Sequence, residues 1–179
     1  MGRILGMIFK VLIVLLLGGA IFSTLFVMVV GRDKVMEMVF GPMVIKAVDF
    51  STLTLAPTPN QFLVCPENFC QVEPHFESPT FDVSAQELKR RWMDMISQQS
   101  NIEIGVADEA LQQYDFIQRT DLVRYPDSIT VRFLRVSSKS SSVAIYSRSH
   151  YGKSDFGVNE KRIRTWLDLL KKRRLNKEP

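Results

Sequence analysis

Val11 to Val30 is a run of twenty residues without a charge. At about 1.5 Å of rise per residue a helix of that length spans about 30 Å, the hydrocarbon thickness of a bilayer. Ile4 to Phe9 extends the run past Lys10, whose long stem lets its ammonium reach the interface. A cleaved signal peptide is the rival reading, and Gly18-Gly19-Ala20 loosely resembles a cleavage site. Ten further apolar residues follow that point, whereas a signal peptide has a short apolar core. Residues 1–30 are therefore read as an uncleaved transmembrane anchor, meeting the bilayer through residues 4–30. Arg3 and Lys10 precede or open the span, and Arg32, Lys34 and Lys46 follow it, so the positive-inside count is nearly even. The orientation adopted is a short cytoplasmic N-terminus with the remainder outside.

The anchor changes how the charge reads. Over the whole chain the net charge is +4. Residues 31–170 alone carry 16 basic and 18 acidic side chains, and the excess of positive charge sits in the anchor and in the tail "KKRRLNKEP". A nucleic-acid-binding domain would place a basic face, with interleaved aromatics, on the folded part. This balance argues against a nucleic-acid partner. The tail, assigned to 173–179, is read as a solvated end that keeps the last helix soluble, with contact to anionic lipid headgroups as the alternative.

Past the anchor, Val35 to Val48 is apolar but interrupted by Glu37, Gly41, Pro42 and Lys46, too broken to span again. It either lies along a membrane surface or extends the anchor and breaks at Gly41-Pro42. "DFSTLTLAPTPNQF" reads as an extended linker, because Pro57, Pro59 and the Ser/Thr content resist helix formation. Residues 31–59 are thus a juxtamembrane segment and linker, and 60–172 a globular domain with one modest core.

The domain opens with a cysteine loop and a "PHFESP" turn region. Ser84 and Glu87 form a capping box, with Val83 and Leu88 at the positions of a hydrophobic staple. Leu88, Trp92 and Met95 then recur at helical spacing, which predicts a helix from about Ala85 to Gln98. Ile102 to Val106, "QYDFIQRTDLV", "ITVRFLRV" and "VAIYSRS" read as strands, with "YPDS" and "SSKSSS" as turns between them. Ile163, Trp166, Leu167 and Leu170 form the stripe of a last helix starting at Asn159. Helix, antiparallel meander, helix is an α+β domain, with two helices flanking the sheet.

Cys65 and Cys70 in "VCPENFC" have the spacing of a small-loop disulfide in an oxidising compartment; two reduced, buried thiols are the alternative. Zinc would need more ligands than His75 supplies nearby, so no metal is assigned. The most distinctive stretch is "YSRSHYGKSDFGVNEKRIRTW". Strand alternation puts Tyr146 and Arg148 on the face away from Val143 and Ile145, with Arg132 beside them and Arg119 joining if the register allows. Gly152 and Gly157 suit turns. Asn159 is placed to cap the last helix, and a helix start beside Arg148 and Lys153 suits an anion. Two readings stay open. The stretch is a structural corner, with Asp155 pairing Arg148 or Arg162, or it is a site for an anion or a partner. Catalysis finds little support. Ser149 and His150 are adjacent on a strand and point to opposite faces, and no nucleophile elbow, paired carboxylates or phosphate loop appears. No catalytic residue and no cofactor is assigned.

"NQFLVCPENFC", "ESPTFDVSAQEL", "QRTDLVRYPDSITVRFL" and "AIYSRSHYGKSDFGVNEKRIRTWLDLL" resemble the bacterial branch of the domain-of-unknown-function 1499 family over nearly all of residues 60–170. The segment with the pattern S-R-S-x-Y-G-x-S-D-F-G-V-N is the most specific, and His150 stands where many relatives would carry arginine. The resemblance implies a bacterial domain, often with a membrane or secretory N-terminus, and no assigned activity. It carries over Arg119, Arg124, Asp127, Arg148, Gly152, Asp155, Gly157, Asn159 and Arg162 as pattern residues.

Anchor, linker and a domain without catalytic motifs together suggest a non-enzymatic, single-span protein of the bacterial plasma membrane. Its extracytoplasmic domain would bind an envelope protein or an anionic group. Arg119, Arg124, Arg148, Lys153, Asp155, Asn159 and Arg162 are the candidate binding residues, and Gly152, Gly157 and Asp127 the structural ones. The alternatives are a helix-grip carrier of a small molecule or lipid, and a hydrolytic enzyme.

Overall fold

The computed structural model describes residues 2–172. It divides into two compact units that meet in sequence between Pro42 and Met43. The basic tail at 173–179 lies outside the described residues.

The first unit holds helix α1 (Gly2–Val30) and helix α2 (Arg32–Phe40). Helix α1 has 29 residues, none buried, contains an 18-residue window of mean hydropathy 2.7, and is long and apolar enough to cross a membrane. It ends at Gly31, whose φ of 87° lies where only glycine sits without strain. Helix α2 ends at Gly41, also at φ 87°, where the amide donates to Glu37 O at 2.8 Å. Pro42 follows and has no amide to continue the ladder. The break expected at Gly41-Pro42 is present, and a second one precedes it at Gly31.

The second unit is built on one sheet of six strands. In chain order these are β1 (Gln61–Cys65), β2 (Phe76–Glu77), β3 (Ile102–Asp108), β4 (Gln113–Arg119), β5 (Pro126–Arg135) and β6 (Ser141–Ser149). In space they run β2-β1-β6-β5-β4-β3. Strands β3 to β6 form the antiparallel meander that alternation predicts, and β1 pairs antiparallel with β6. Only β2 joins in parallel, through Val64↔Phe76 and Cys65↔Glu77. Strands β1 and β2 fall where the sequence reads as loop and turn. All five residues of β1 are buried, so "QFLVC" does not alternate, and an apolar run without alternation is ambiguous at the sequence level.

Helix α3 (Ala85–Ile96) and helix α4 (Val158–Lys172) both pack on one face of this sheet. Ser84 caps α3, its Oγ accepting from Glu87 N at 3.2 Å. The Glu87 carboxylate does not close the reciprocal half of the box. It accepts from Arg90 and Arg91, and those bonds push its pKa down to about 2. Trp92 is fully buried at the centre, with its ring 5.5 Å from Trp166, 6.1 Å from Phe133 and 6.2 Å from Phe116. Those four rings fill the space between sheet and helices. A carrier of helix-grip type needs a cavity there, and aromatic packing occupies that place.

The other sheet face is covered by irregular chain. Val48 and Phe50 are buried against Leu63, Cys65, Ala144 and Tyr146, with Leu53, Leu55, Phe69 and Val72 around them. Residues 43–59, the later part of the stretch 31–59 assigned to a juxtamembrane segment and linker, thus belong to the same compact unit as the sheet. A disulfide joins Cys65, at the end of β1, to Cys70 beneath this cover, with Cα atoms 6.1 Å apart. Closing so short a loop restricts the unfolded chain and stabilises the fold by about 2 kcal/mol. Cys65→Ala with Cys70→Ala is expected to lower the unfolding free energy of the detergent-solubilised chain by about that amount in urea titrations. Wild type treated with reductant should show the same loss.

Candidate functional site

The distinctive stretch from Tyr146 to Trp166 leaves β6, turns, and enters α4. Asp155 organises the turn. Its Oδ1 accepts from Gly157 N at 3.0 Å, and its Oδ2 accepts from Asn159 N at 2.8 Å. Asp155 is therefore the cap of α4, in place of the expected Asn159 and instead of pairing with Arg148 or Arg162. Gly152 and Gly157 take φ of 81° and 77°, as the turn requires.

Asn159, released from capping, is completely buried and forms the centre of a closed network. Its Oδ1 accepts from Ser147 Oγ at 2.5 Å and from Arg162 Nη1 at 2.8 Å. Its Nδ2 donates to Asp155 Oδ2 at 2.7 Å and to Ser149 Oγ at 3.1 Å. Ser149 Oγ donates to Asp127 Oδ1 at 2.6 Å, and Arg162 Nη2 donates to Asp127 Oδ2 at 2.5 Å. The Arg162 and Asp127 side chains are only 10% and 5% exposed. The two charges neutralise one another inside the corner, and the hydrogen bonds around them are turned inward. A buried pair so satisfied is a structural element. Ser149 bonds to a carboxylate, and His150 lies on the opposite sheet face, so the Ser149–His150 hydrolytic arrangement is not assembled.

The remaining candidates are dispersed. Arg119 pairs with Glu103 on the edge strand β3. Arg124, at φ 66°, donates from Nη1 to Asn101 Oδ1 at 2.9 Å. Lys153 is exposed on the turn. The corner network draws on none of the three.

Arg148 occupies the second face, as alternation predicts. Its guanidinium lies over the Tyr146 ring, 4.8 Å from the centroid, and Nη2 donates to Lys46 O at 3.1 Å. No carboxylate lies within ion-pair distance of it among the described residues. A cleft of about 560 Å³ opens beside it, lined by Lys46, Asp49, Thr52, Tyr146, Arg148 and His150. Asp49 is occupied locally, accepting from Ser51 N and Oγ. The buried Asp115 carboxyl accepts from Thr130 Oγ1 at 2.5 Å. Burial raises its pKa, against the weaker lowering by that bond and by the charge of Arg148. Burial also lowers the pKa of His150, and the neighbouring Arg148 charge lowers it further. Its Nε2 is buried without a hydrogen-bond partner.

The family model described as "Protein of unknown function (DUF1499)" matches residues 52–170. The chain belongs to the DUF1499 family. The match begins at Thr52, inside the segment that covers the second sheet face. No curated protein matches the chain. Among solved structures, "Crystal structure of the di-domain ARO/CYC BexL from the BE-7585A biosynthetic pathway" is similar over 53% of this chain and 44% of that one. The identity is 15% and the TM-score 0.41. The matched region spans less than half the length of that di-domain protein.

Of the DUF1499 pattern residues, Asp127, Asp155, Asn159 and Arg162 converge at the corner through their side chains and Gly157 through its amide, joined by Ser147 and Ser149. Arg148 stands apart across the sheet. Lys46, Tyr146 and Asp115 beside Arg148 are not among the candidates chosen from sequence. The last two share one row of the sheet, Asp115↔Thr130↔Tyr146, a proximity that only strand pairing reveals.

Asp127→Asn leaves a buried guanidinium without its counter-charge and should cost about 3 kcal/mol or more in urea unfolding. Asp127→Leu with Arg162→Leu should cost less than the two single changes together, because each single change strands a charge. His150 should titrate below the ordinary imidazole value of about 6.5 in a proton NMR titration, and Arg148→Ala should raise its pKa. The unfolded imidazole takes up a proton near that ordinary value while the folded one resists. Stability therefore falls as pH drops from about 6.5 toward the lower folded pKa.

Proposed function

We propose that this DUF1499 protein is a single-span membrane protein of the bacterial envelope, whose domain is a non-enzymatic binding module on the extracytoplasmic side. The site is the second-face cleft, and the group it takes is an anionic one, a carboxylate or phosphate, presented by an envelope partner. The reading rests on Arg148. It is the one pattern arginine held rigid at a cleft by a stacking ring and a backbone carbonyl, yet with no carboxylate in ion-pair distance among the described residues. A guanidinium so oriented offers a planar fork suited to an oxyanion. The exposed Lys46 adds a second positive charge at the same mouth. The corner of Asp127, Asn159 and Arg162 supports the site from the far side of β6 by fixing the strand that carries Arg148.

The full chain, captured from its native membrane in mild detergent, should bring down a partner that folded Arg148→Ala loses about tenfold or more, the worth of a charge-assisted hydrogen bond. Arg148→Lys keeps the charge and loses the fork, so it should recover only part of the binding. Identical partners for wild type and a folded Arg148→Ala would refute the site.

A further inference from the structure

We infer that the second-face cleft takes up a proton together with its anion, and that His150 is the group that carries the proton. This rests on the reading of that cleft as the anion site and adds its regulation. Arg148 and His150 stand two positions apart on one side of β6 and its continuation, about 7 Å apart along an extended chain. The His150 amide donates to Pro126 O at 3.2 Å, which carries the β5–β6 pairing one residue past Asp127↔Ser149. Strand register therefore holds His150 on the side that carries Arg148. Both line the same cleft, with Lys46 and Asp49 from the covering segment.

A fixed cation and a titrating imidazole this close act on one another. In the cleft without an anion, two effects hold the imidazole neutral, burial first and the charge of Arg148 second. An anion on the Arg148 fork cancels the second effect and brings a negative charge beside the ring. The Nε2 atom has no hydrogen-bond partner among the described residues, so no fixed bond there commits the ring to one protonation state. The other charges around it differ in role. Asp127, on β5, favours the imidazolium, but its carboxylate is paired with Arg162 whatever the cleft holds. Lys46 and Asp49, on the cover, add one charge of each sign. Asp115, on β4, is the rival carrier, because burial raises its carboxyl and it too feels Arg148. The second histidine, His75, accepts from Leu63 N and stacks on Phe62 in the helix-side core, away from the cleft. Linkage makes the coupling reciprocal: the anion raises the affinity of His150 for its proton by the factor by which the proton tightens the anion. The ligand is drawn in as pH falls through the imidazole range and released as pH rises.

The test titrates inorganic sulfate, an oxyanion whose own charge stays constant over this range, into the full chain in an uncharged detergent, with ionic strength held constant by chloride. Binding is followed by NMR at about pH 5 and about pH 8, between which histidine is the side chain that ordinarily changes charge. Wild type should bind sulfate about threefold or more tightly at the lower pH, and folded His150→Gln should show the same affinity at both. Saturating sulfate should move the His150 midpoint in wild type upward by about half a pH unit or more, the same threefold seen from the proton. That second readout decides the outcome if His150→Gln fails to fold. Sulfate that needs Arg148 but binds equally at both pH values, with the His150 midpoint unmoved, overturns the coupling and leaves the site standing. A pH dependence that survives in folded His150→Gln also overturns it, and its loss in Asp115→Asn would then assign the proton to Asp115. No sulfate binding, or equal binding to folded Arg148→Ala at both pH values, refutes the site and the coupling with it.

Discussion

The buried pair of Asp127 and Arg162 is the constraint on which the domain's geometry depends. Two charges taken out of water are tolerated only with near-complete hydrogen bonding. Here the pair recruits Ser147, Ser149 and Asn159, all three supplied by β6 and α4. The network therefore cannot be completed unless α4 starts at one place and points one way. Asp155 fixes that start by capping the first amides, and Arg162, one turn in, reaches across to β5. The stripe of Ile163, Trp166, Leu167 and Leu170 is then aimed at the sheet. Apolar packing supplies the stability, and the polar corner supplies the register.

The second sheet face solves a different problem. An irregular segment lying over a sheet carries backbone carbonyls that must find donors. The strands provide them from side chains. Gln113 donates to Val48 O, Arg148 to Lys46 O, and Gln61 to Ala56 O at 2.5 Å and Thr58 O at 3.1 Å. Tyr146 in turn donates to Gln61 Oε1 at 2.5 Å and orients it. The mixture of polar and apolar residues on this face is thus the counterpart of a coil cover, while the apolar residues opposite are the counterpart of two helices.

Much of this was legible in the order of residues. The meander, both helices and the α3 cap follow from alternation, helical spacing and the Ser84 position. The cover and β1 were not. Pro57, Pro59 and the Ser/Thr run do report an irregular backbone, but irregular is not the same as detached, and burial of Val48 and Phe50 is set by tertiary packing. In the corner, the right residues were visible and their pairing was not. Asp155 and Asn159 are both good caps, and only the fold shows that one caps and the other is buried. Asp127, thirty-five residues before Arg162, had no local signal of its partner.

Two arginines of the same motif, Arg148 and Arg162, show how one side chain serves opposite ends. Arg162 spends its donors inward on Ser147, Asn159 and Asp127, and its charge is cancelled where it lies. Arg148 sits between Ser147 and Ser149 on β6, but odd and even positions of the strand face opposite ways, so it takes no part in the network. Its guanidinium has five N–H donors, and the bond from Nη2 to Lys46 O engages one of them with the covering segment. The Tyr146 ring, its centroid 4.8 Å from the guanidinium carbon, packs against it. Under the proposed function, an anion meeting the guanidinium edge would not have to displace the bond to Lys46 or reorder the side chain, and so would meet a smaller entropic cost. A lysine at either position could supply the charge, but its single nitrogen could not span the acceptors that Arg162 reaches from both Nη1 and Nη2, and it offers no planar fork.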